Sequence, residues 1–270
     1  MTIKKAVIPA AGYGTRNLPI TKVIPKEMFP IHGKPAIHYV VEEALTAGIK
    51  EILIIVSRNK NMIMDYFDRS LELEYFLKKT NKHDLLKDLF LPPIHIQYIR
   101  QPFATGLGGA LSLAEPFIAD QPFAVLLPDD VFVKKEHGLP LLMKTYQTRQ
   151  ANVIGVETVA EQWLHQYGVI KERKVEENLY ELLDIVEKPS SSPPSNLAVI
   201  GRYIFHPEIF SFLKKVKPDS KGEYQLTDAI KSMLQKTISY GQGGLGERFD
   251  IGTDEGYFRL LEKLRTKKDS

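Results

Sequence analysis

The sequence predicts an α/β protein whose sheet is wound in chain order, and three observations predict it. Two continuous apolar runs, KAVIPAA at 5–11 and ILIIV at 52–56, have the length and β-branched content of strands covered on both faces of a parallel sheet. Between them Ile37, Val40, Val41, Ala44 and Leu45 recur at helical spacing, with Pro35 suited to the first position and Gly48 to a left-handed stop. A third apolar run, FAVLLP at 123–128, ends in Asp129 and Asp130, at the strand end where α/β sheets place ligands.

The remaining elements follow in order. Residues 60–90 read as helical, with Ile63, Phe67, Leu71, Leu85, Leu86 and Leu89 as apolar faces and Pro92 and Pro93 as the stop. IHIQYI at 94–99 alternates as a strand, and TGLGGALSLAEPF at 105–117 starts a helix on glycines. NVIGVETV, YELLDIVEKP and LAVIGRYIF read as strands, and 207–216, 224–236 and 254–265 as helices. SSSPPS at 190–195 reads as a surface loop. With 43% hydrophobic residues, 270 residues suffice for one large core, so a single domain over 1–270 is expected. Its segment from about 160 to 225 is richer in strand and is expected to face a substrate from the same sheet.

Composition excludes several classes of function. No cysteine is present, so disulfides and thiolate metal sites are ruled out and any metal takes oxygen or imidazole ligands. The seven histidines are scattered, without an HExxH pair. A formal charge of +3 suits an anionic substrate, but no long Lys/Arg block of the nucleic-acid-binding kind occurs, and no apolar span suits a membrane helix. Neither a nucleic acid nor a membrane is expected as partner, and the expected location is the cytoplasm.

The loop after the first run, GYGTRNLPITKVIPKEMFP, carries the chemistry. Gly12 and Gly14 let backbone N–H groups approach an anion. A dinucleotide turn needs GxGxxG opening into a helix, which Pro19, Pro25 and Pro30 block, and a Walker loop needs GK followed by Ser or Thr, which is absent. An extended loop that wraps its ligand is therefore expected, with Arg16, Lys22 and Lys26 meeting a chain of phosphates from several sides. For any one of these lysines, a solvated surface charge is the ordinary alternative.

The motif GYGTRNLPITKVIPKEM resembles the signature of the bacterial UTP–glucose-1-phosphate uridylyltransferase family. The resemblance continues through RQPFATGLGGA, LPDD, YGVI, VEKP, SNLAVIGRY, GEYQLTDAI and FDIGT in the family's order, over nearly the whole chain. Related thymidylyltransferases carry an SKQ element where Pro25, Lys26 and Glu27 stand here. Two departures are visible: Gly109 replaces a usual His, and the region after the last helix is short.

The resemblance implies a Rossmann-like, glycosyltransferase-A-like nucleotidyltransferase fold with a mixed, mostly parallel central sheet flanked by helices. It implies Mg2+-dependent attack of glucose 1-phosphate on the α-phosphorus of UTP, in a homodimer or tetramer. Ala10, Ala11, Gly12, Gly14 and Thr15 would bind the nucleotide with Asp130, while Gln101 and Gly106 would read the uracil. Arg16 and Lys26 would meet the triphosphate, and Lys188 the sugar phosphate, these three being the catalytic residues. Glu187 and Gly168 would hold the sugar within the 160–225 region, and Asp129 with Asp250 would share the metal. Other readings stay open here: thymidylyl transfer, another sugar 1-phosphate, a catalytically silent sugar-nucleotide binder, and, far weaker without GxGxxG, a nicotinamide-dependent dehydrogenase.

Overall fold

The computed structural model describes residues 2–89, 93–134 and 136–266, the side chain of residue 266 apart. Pro92, an expected helix stop, lies outside the described residues. The chain opens with strand β1 (Lys5–Ala10), then the glycine and proline loop, a two-residue ladder of β2 (Pro30–Ile31) and β3 (Lys34–Pro35), helix α1 (Ala36–Thr46) and β4 (Glu51–Val56). Pro35 precedes the helix by one residue, with an extended ψ of 153°, and Gly48 takes the left-handed φ of 91° expected of the stop.

The stretch from 60 to 90 is not one helix. It divides into α2 (Asn61–Phe67), α3 (Leu71–Lys79) and a 3₁₀ segment at His83–Leu89. Asp68 is extended and ends α2, and of the expected apolar positions only Ile63 is fully buried, while Leu71 and Leu85 face solvent. There follow β5 (His95–Arg100), α4 (Gly106–Ser112), α5 (Glu115–Ile118), β6 (Phe123–Leu126), β7 (Asp130–Phe132), α6 (Leu139–Arg149) and β8 (Asn152–Thr158). The second half supplies β9 (Gly168–Glu176), β10 (Leu179–Glu187), β11 (Leu197–Phe205), α7 (Ile209–Leu213), α8 (Leu226–Leu234), β12 (Ser239–Gln242), β13 (Arg248–Asp250) and α9 (Asp254–Thr266).

Nine strands form one sheet in the order β5-β4-β1-β6-β11-β8-β12-β10-β9. β11 and β10 run against the rest, so the sheet is mixed with most strands in one direction. Side-chain alternation divides β1, β4 and β6 between two cores. Val7, Leu53, Ile55, Phe123 and Val125 meet α4, α7 and α8 on one face; Ala6, Ile8, Ile52, Ile54 and Ala124 meet α1 and α6 on the other. This two-sided burial is why these strands read as unbroken apolar runs.

A third, smaller core of Ile31, Ala36, Val131, Phe249, Ile251 and Leu260 lies beneath the antiparallel pair β7 and β13. That pairing sets Asp250 opposite Asp130 in register, so two carboxylate segments 120 positions apart in sequence meet at the sheet's carboxyl edge.

Candidate active site

Two cavities open side by side beyond the carboxyl ends of β1, β5 and β6. The first, about 380 Å³, is lined by Ala11, Gly12, Tyr13, Thr15, Lys26, Glu27, Gln101 and Gly106 among others. The second, about 310 Å³, is lined by Arg16, Tyr167, Gly168, Glu187, Lys188, Thr227 and Asp250 among others. Asp129, Leu107, Leu127 and Glu223 belong to both walls, so the cavities adjoin at Asp129.

The loop from Ala11 to Pro30 is more compact than the extended ribbon its prolines suggested. It folds into three 3₁₀ turns, Thr15–Asn17, Ile20–Lys22 and Lys26–Met28, because proline stops each turn before a helix can propagate. Gly14 enters the first turn at a left-handed φ of 66°, and Thr21 Oγ1 donates to its carbonyl at 2.7 Å. Of the residues expected at the nucleotide, Ala11, Gly12, Thr15, Gln101 and Gly106 line the first cavity. Ala10 is wholly buried in β1 and Gly14 turns the loop, and neither lines these two cavities; Lys22 is exposed and lines neither of them.

Lys26 Nζ lies 2.5 Å from Asp129 Oδ2, with both side chains largely buried. Burial by itself would push the Asp129 carboxyl up, but the Lys26 ammonium and its hydrogen bond outweigh it and hold the group below the usual carboxylate range. For Lys26, burial works downward, and Asp129 with Glu27 reverses it, so the ammonium persists. Glu27 is buried and takes Lys60 Nζ on both oxygens, at 2.8 and 2.7 Å. The sequence offered no sign of Lys60, which lies 33 positions away on the loop after β4.

The turn that carries Asp129 is braced from below. Arg202 on β11 is fully buried, and its five N–H donors meet Glu43 Oε1 and Oε2 at 2.8 and 2.7 Å and the carbonyls of Leu127, Gly201 and Asp130. Leu127 and Asp130 flank the Pro128–Asp129 step, so the guanidinium grips both ends of it. Asp130 was expected at the nucleotide, but it borders the second cavity, and its oxygens are taken by Gly201 N at 2.7 Å and by Arg248. Arg248 also holds Glu157 at 2.7 Å, and these two carboxylates keep it protonated against burial.

Asp250 is pushed up by burial, then by the nearby charges of Asp130 and Asp129. Tyr167 donates its hydroxyl to Asp250 Oδ2 at 3.3 Å, and the backbone N–H of Ile251 donates to the Asp129 carbonyl at 2.9 Å. Gly252 shows how closely the charges gather: a Cβ there would stand 3.0 Å from Arg16 Nη2, 3.0 Å from Asp250 Oδ1 and 3.2 Å from Asp129 Oδ2. The two carboxylates therefore converge beside Gly252, Asp129 Oδ2 held by Lys26 Nζ at 2.5 Å and Asp250 Oδ1 accepting from the Gly252 N–H at 2.9 Å. Among the described residues no three His, Asp or Glu side chains form a cage of their own. One or two carboxylates completed by substrate phosphates are the set Mg2+ favours, and the donors here fit it.

In the second cavity Lys188 stands one residue past β10, with its side chain 56% exposed and 3.2 Å from Glu187 Oε1. Its φ of 43° is left-handed, against the extended bias of a residue before proline, and its N–H donates to the Tyr167 carbonyl at 3.0 Å. Thr227 Oγ1 donates to Glu187 Oε2 at 3.1 Å, and a Cβ on Gly168 would meet Thr227 at 3.0 Å. Tyr167 and Thr227 stand inside the motifs YGVI and GEYQLTDAI, but neither was singled out as a site residue.

Known proteins resemble the chain over almost its whole length. Residues 5–267 match the Nucleotidyl transferase family. A protein of Bacillus subtilis (strain 168) is 52% identical over 269 residues, covering 99% of both chains. A UTP–glucose-1-phosphate uridylyltransferase of the same organism is 46% identical, covering 97% of this chain and 89% of its own. The structure of a UDP-glucose pyrophosphorylase complexed with UDP-glucose superposes with a TM-score of 0.88 at 42% identity, over 98% of this chain and 99% of that one. Matched in sequence and fold along almost its whole length, the chain belongs to the nucleotidyl transferase family, among the UTP–glucose-1-phosphate uridylyltransferases.

Proposed function

We propose that the protein transfers the uridylyl group of UTP to glucose 1-phosphate with Mg2+, forming UDP-glucose and pyrophosphate. The observation that carries this reading is the pair of adjoining cavities that meet at Asp129, one walled by glycines and Lys26, the other by Glu187 and Lys188. The names of its relatives support it.

In this reaction an oxygen of the sugar phosphate bonds to the α-phosphorus of UTP, and the bond from that phosphorus to the bridging oxygen of the β-phosphate breaks, releasing pyrophosphate. No general base is needed, because a phosphate monoester loses its second proton at a pKa of about 6. The obstacle is repulsion, since two like charges ~4 Å apart cost ~4 kcal/mol at an effective dielectric of 20. Lys26 meets the triphosphate from the first cavity and Arg16 from the wall of the second, beside Asp129 and Asp250; Lys188 meets the sugar phosphate and Glu187 the sugar hydroxyls, while Gly168 lets the backbone approach. Asp129 and Asp250 would hold Mg2+, which supplies countercharge to the phosphates when bound. The chain works as one domain with a sugar-binding region near 160–225, as a cytoplasmic homodimer or tetramer. Among the described residues no helix is long and apolar enough to cross a membrane.

Pyrophosphate release is the test. It is expected only when UTP, glucose 1-phosphate and Mg2+ are all present, to stop on chelation, and to fall at least about a thousandfold in Asp129→Asn. Panels with dTTP and with galactose or N-acetylglucosamine 1-phosphate define strictness. No release with any nucleotide and sugar phosphate overturns the reading.

A further inference from the structure

Glu27 and Lys60 form a buried ion pair that the proposed chemistry leaves unused. Lys60 Nζ donates to both carboxylate oxygens of Glu27, at 2.8 and 2.7 Å, and both side chains are buried. Taking two charges out of water is costly even when they are well paired, and apolar residues of similar volume are often as stable. Stability alone is a weak reason for this pair.

Its place in the fold supplies another. Lys26 and Glu27 are neighbours in the 3₁₀ turn Lys26–Met28, and β4 and β6 flank β1 in the sheet. Lys26 reaches Asp129, beyond β6, and Glu27 reaches Lys60, beyond β4, so the turn is tied to the carboxyl ends of two parallel strands. Lys60 is itself fixed: its N–H donates to the Ser57 carbonyl at 3.3 Å, and its carbonyl accepts from the N–H of fully buried Ile63 at 3.1 Å. Ahead of the turn, Lys22 and Val23 are exposed. The two ties also differ in what the reaction asks of them. Lys26 meets the triphosphate, so its hold on Asp129 is shared with substrate; the hold of Glu27 on Lys60 is not.

Resting on the transferase reading above, we propose that Lys60 is a positioning residue for the transfer: through Glu27 it fixes the turn from which Lys26 reaches the α-phosphorus. Without that tie the turn drifts, and a misplacement of about 1 Å costs about a hundredfold in rate. UTP is held across the whole wall of the first cavity, so its affinity changes little.

The test compares wild type, Lys60→Met, and Lys60→Met combined with Glu27→Gln. Each is measured by urea unfolding, by equilibrium binding of UTP, and by pyrophosphate release in a single turnover, where product release does not mask the step. The double variant buries no unpaired charge, so it is expected to regain most of the stability that Lys60→Met loses. It still lacks the tie. Both variants are expected to be about a hundredfold slower than wild type in the single turnover, with Kd for UTP within about threefold of wild type. If Lys60→Met alone does not fold, the double variant decides. A purely structural pair predicts that the double variant recovers rate together with stability, and that result overturns the proposal. A slow double variant whose UTP affinity has fallen as far as its rate overturns it too, because the whole site is then disturbed. A wild type that releases no pyrophosphate brings down the transferase reading and this inference together; an active wild type beside a fast double variant brings down this inference alone.

Discussion

The two cavities are built to different standards. Around the first, the cation and the two carboxylates beside it are already held by the protein: Lys26 on Asp129 at 2.5 Å, and Glu27 on Lys60 at 2.7 Å with both side chains buried. Around the second, Lys188 is more than half exposed and keeps only a 3.2 Å contact with its neighbour Glu187. The first side grows from parallel strands packed on both faces; the second grows from the β9 and β10 hairpin at the sheet edge, where β9 buries only its first three residues among the core. The difference teaches that a site for a highly charged ligand is prepared by pairing its cations in advance, whereas a cation at a sheet edge is ordered by its ligand, at a cost in binding.

The comparison can be broken first at the joint between the halves. Arg202→Met leaves the Glu43 carboxylate buried without its partner and frees the carbonyls around Asp129, so a loss of about 3–5 kcal/mol is expected in denaturant unfolding. Lys60→Met is expected to cost about 3 kcal/mol by exposing Glu27 to the same problem, and Lys60→Met with Glu27→Gln to cost clearly less than the two single losses combined. Lys188→Ala sharpens the contrast: stability within about 0.5 kcal/mol of wild type, but kcat/KM for glucose 1-phosphate down about a hundredfold. The smallest effect is expected for Thr227→Val, about 1 kcal/mol in the apparent affinity for the sugar phosphate through a less constrained Glu187, read as a rise in KM. A stability loss at Lys188 as large as at Lys60 would erase the distinction.

Strands β1, β4, β6 and β11 were legible in the sequence because burial on both faces leaves nearly unbroken apolar runs, Arg202 being the polar exception within β11. Strands β9 and β12 and helix α6 were not. β9 is mostly polar beyond its first turn of pairing, β12 is the four residues SYGQ, and α6 has Pro140 as its second residue and carries a mixed face. The long helical stretch from 60 to 90 failed for the opposite reason: its apolar residues have the spacing, but among the described ones only Ile63 and Leu77 are buried, and Leu71, Tyr75 and Phe76 stay exposed. In the site, the glycine loop and the LPDD strand end were legible as local motifs, while Lys60, Arg202 and Arg248 were not.

By itself the sequence determined what depends on chain neighbours: the buried strands, the loop that proline keeps from becoming a helix, and the strand end that carries Asp129. Steric limits and side-chain periodicity act over a few residues, so the chain records them directly. Only the tertiary structure decided which charges meet. Glu43 finds Arg202 across 159 positions, and Asp130 finds Arg248 across 118. Electrostatic attraction follows separation in space, and the sheet order that sets β11 beside β6, with β13 pairing β7 at the same edge, is what turns those distant residues into neighbours.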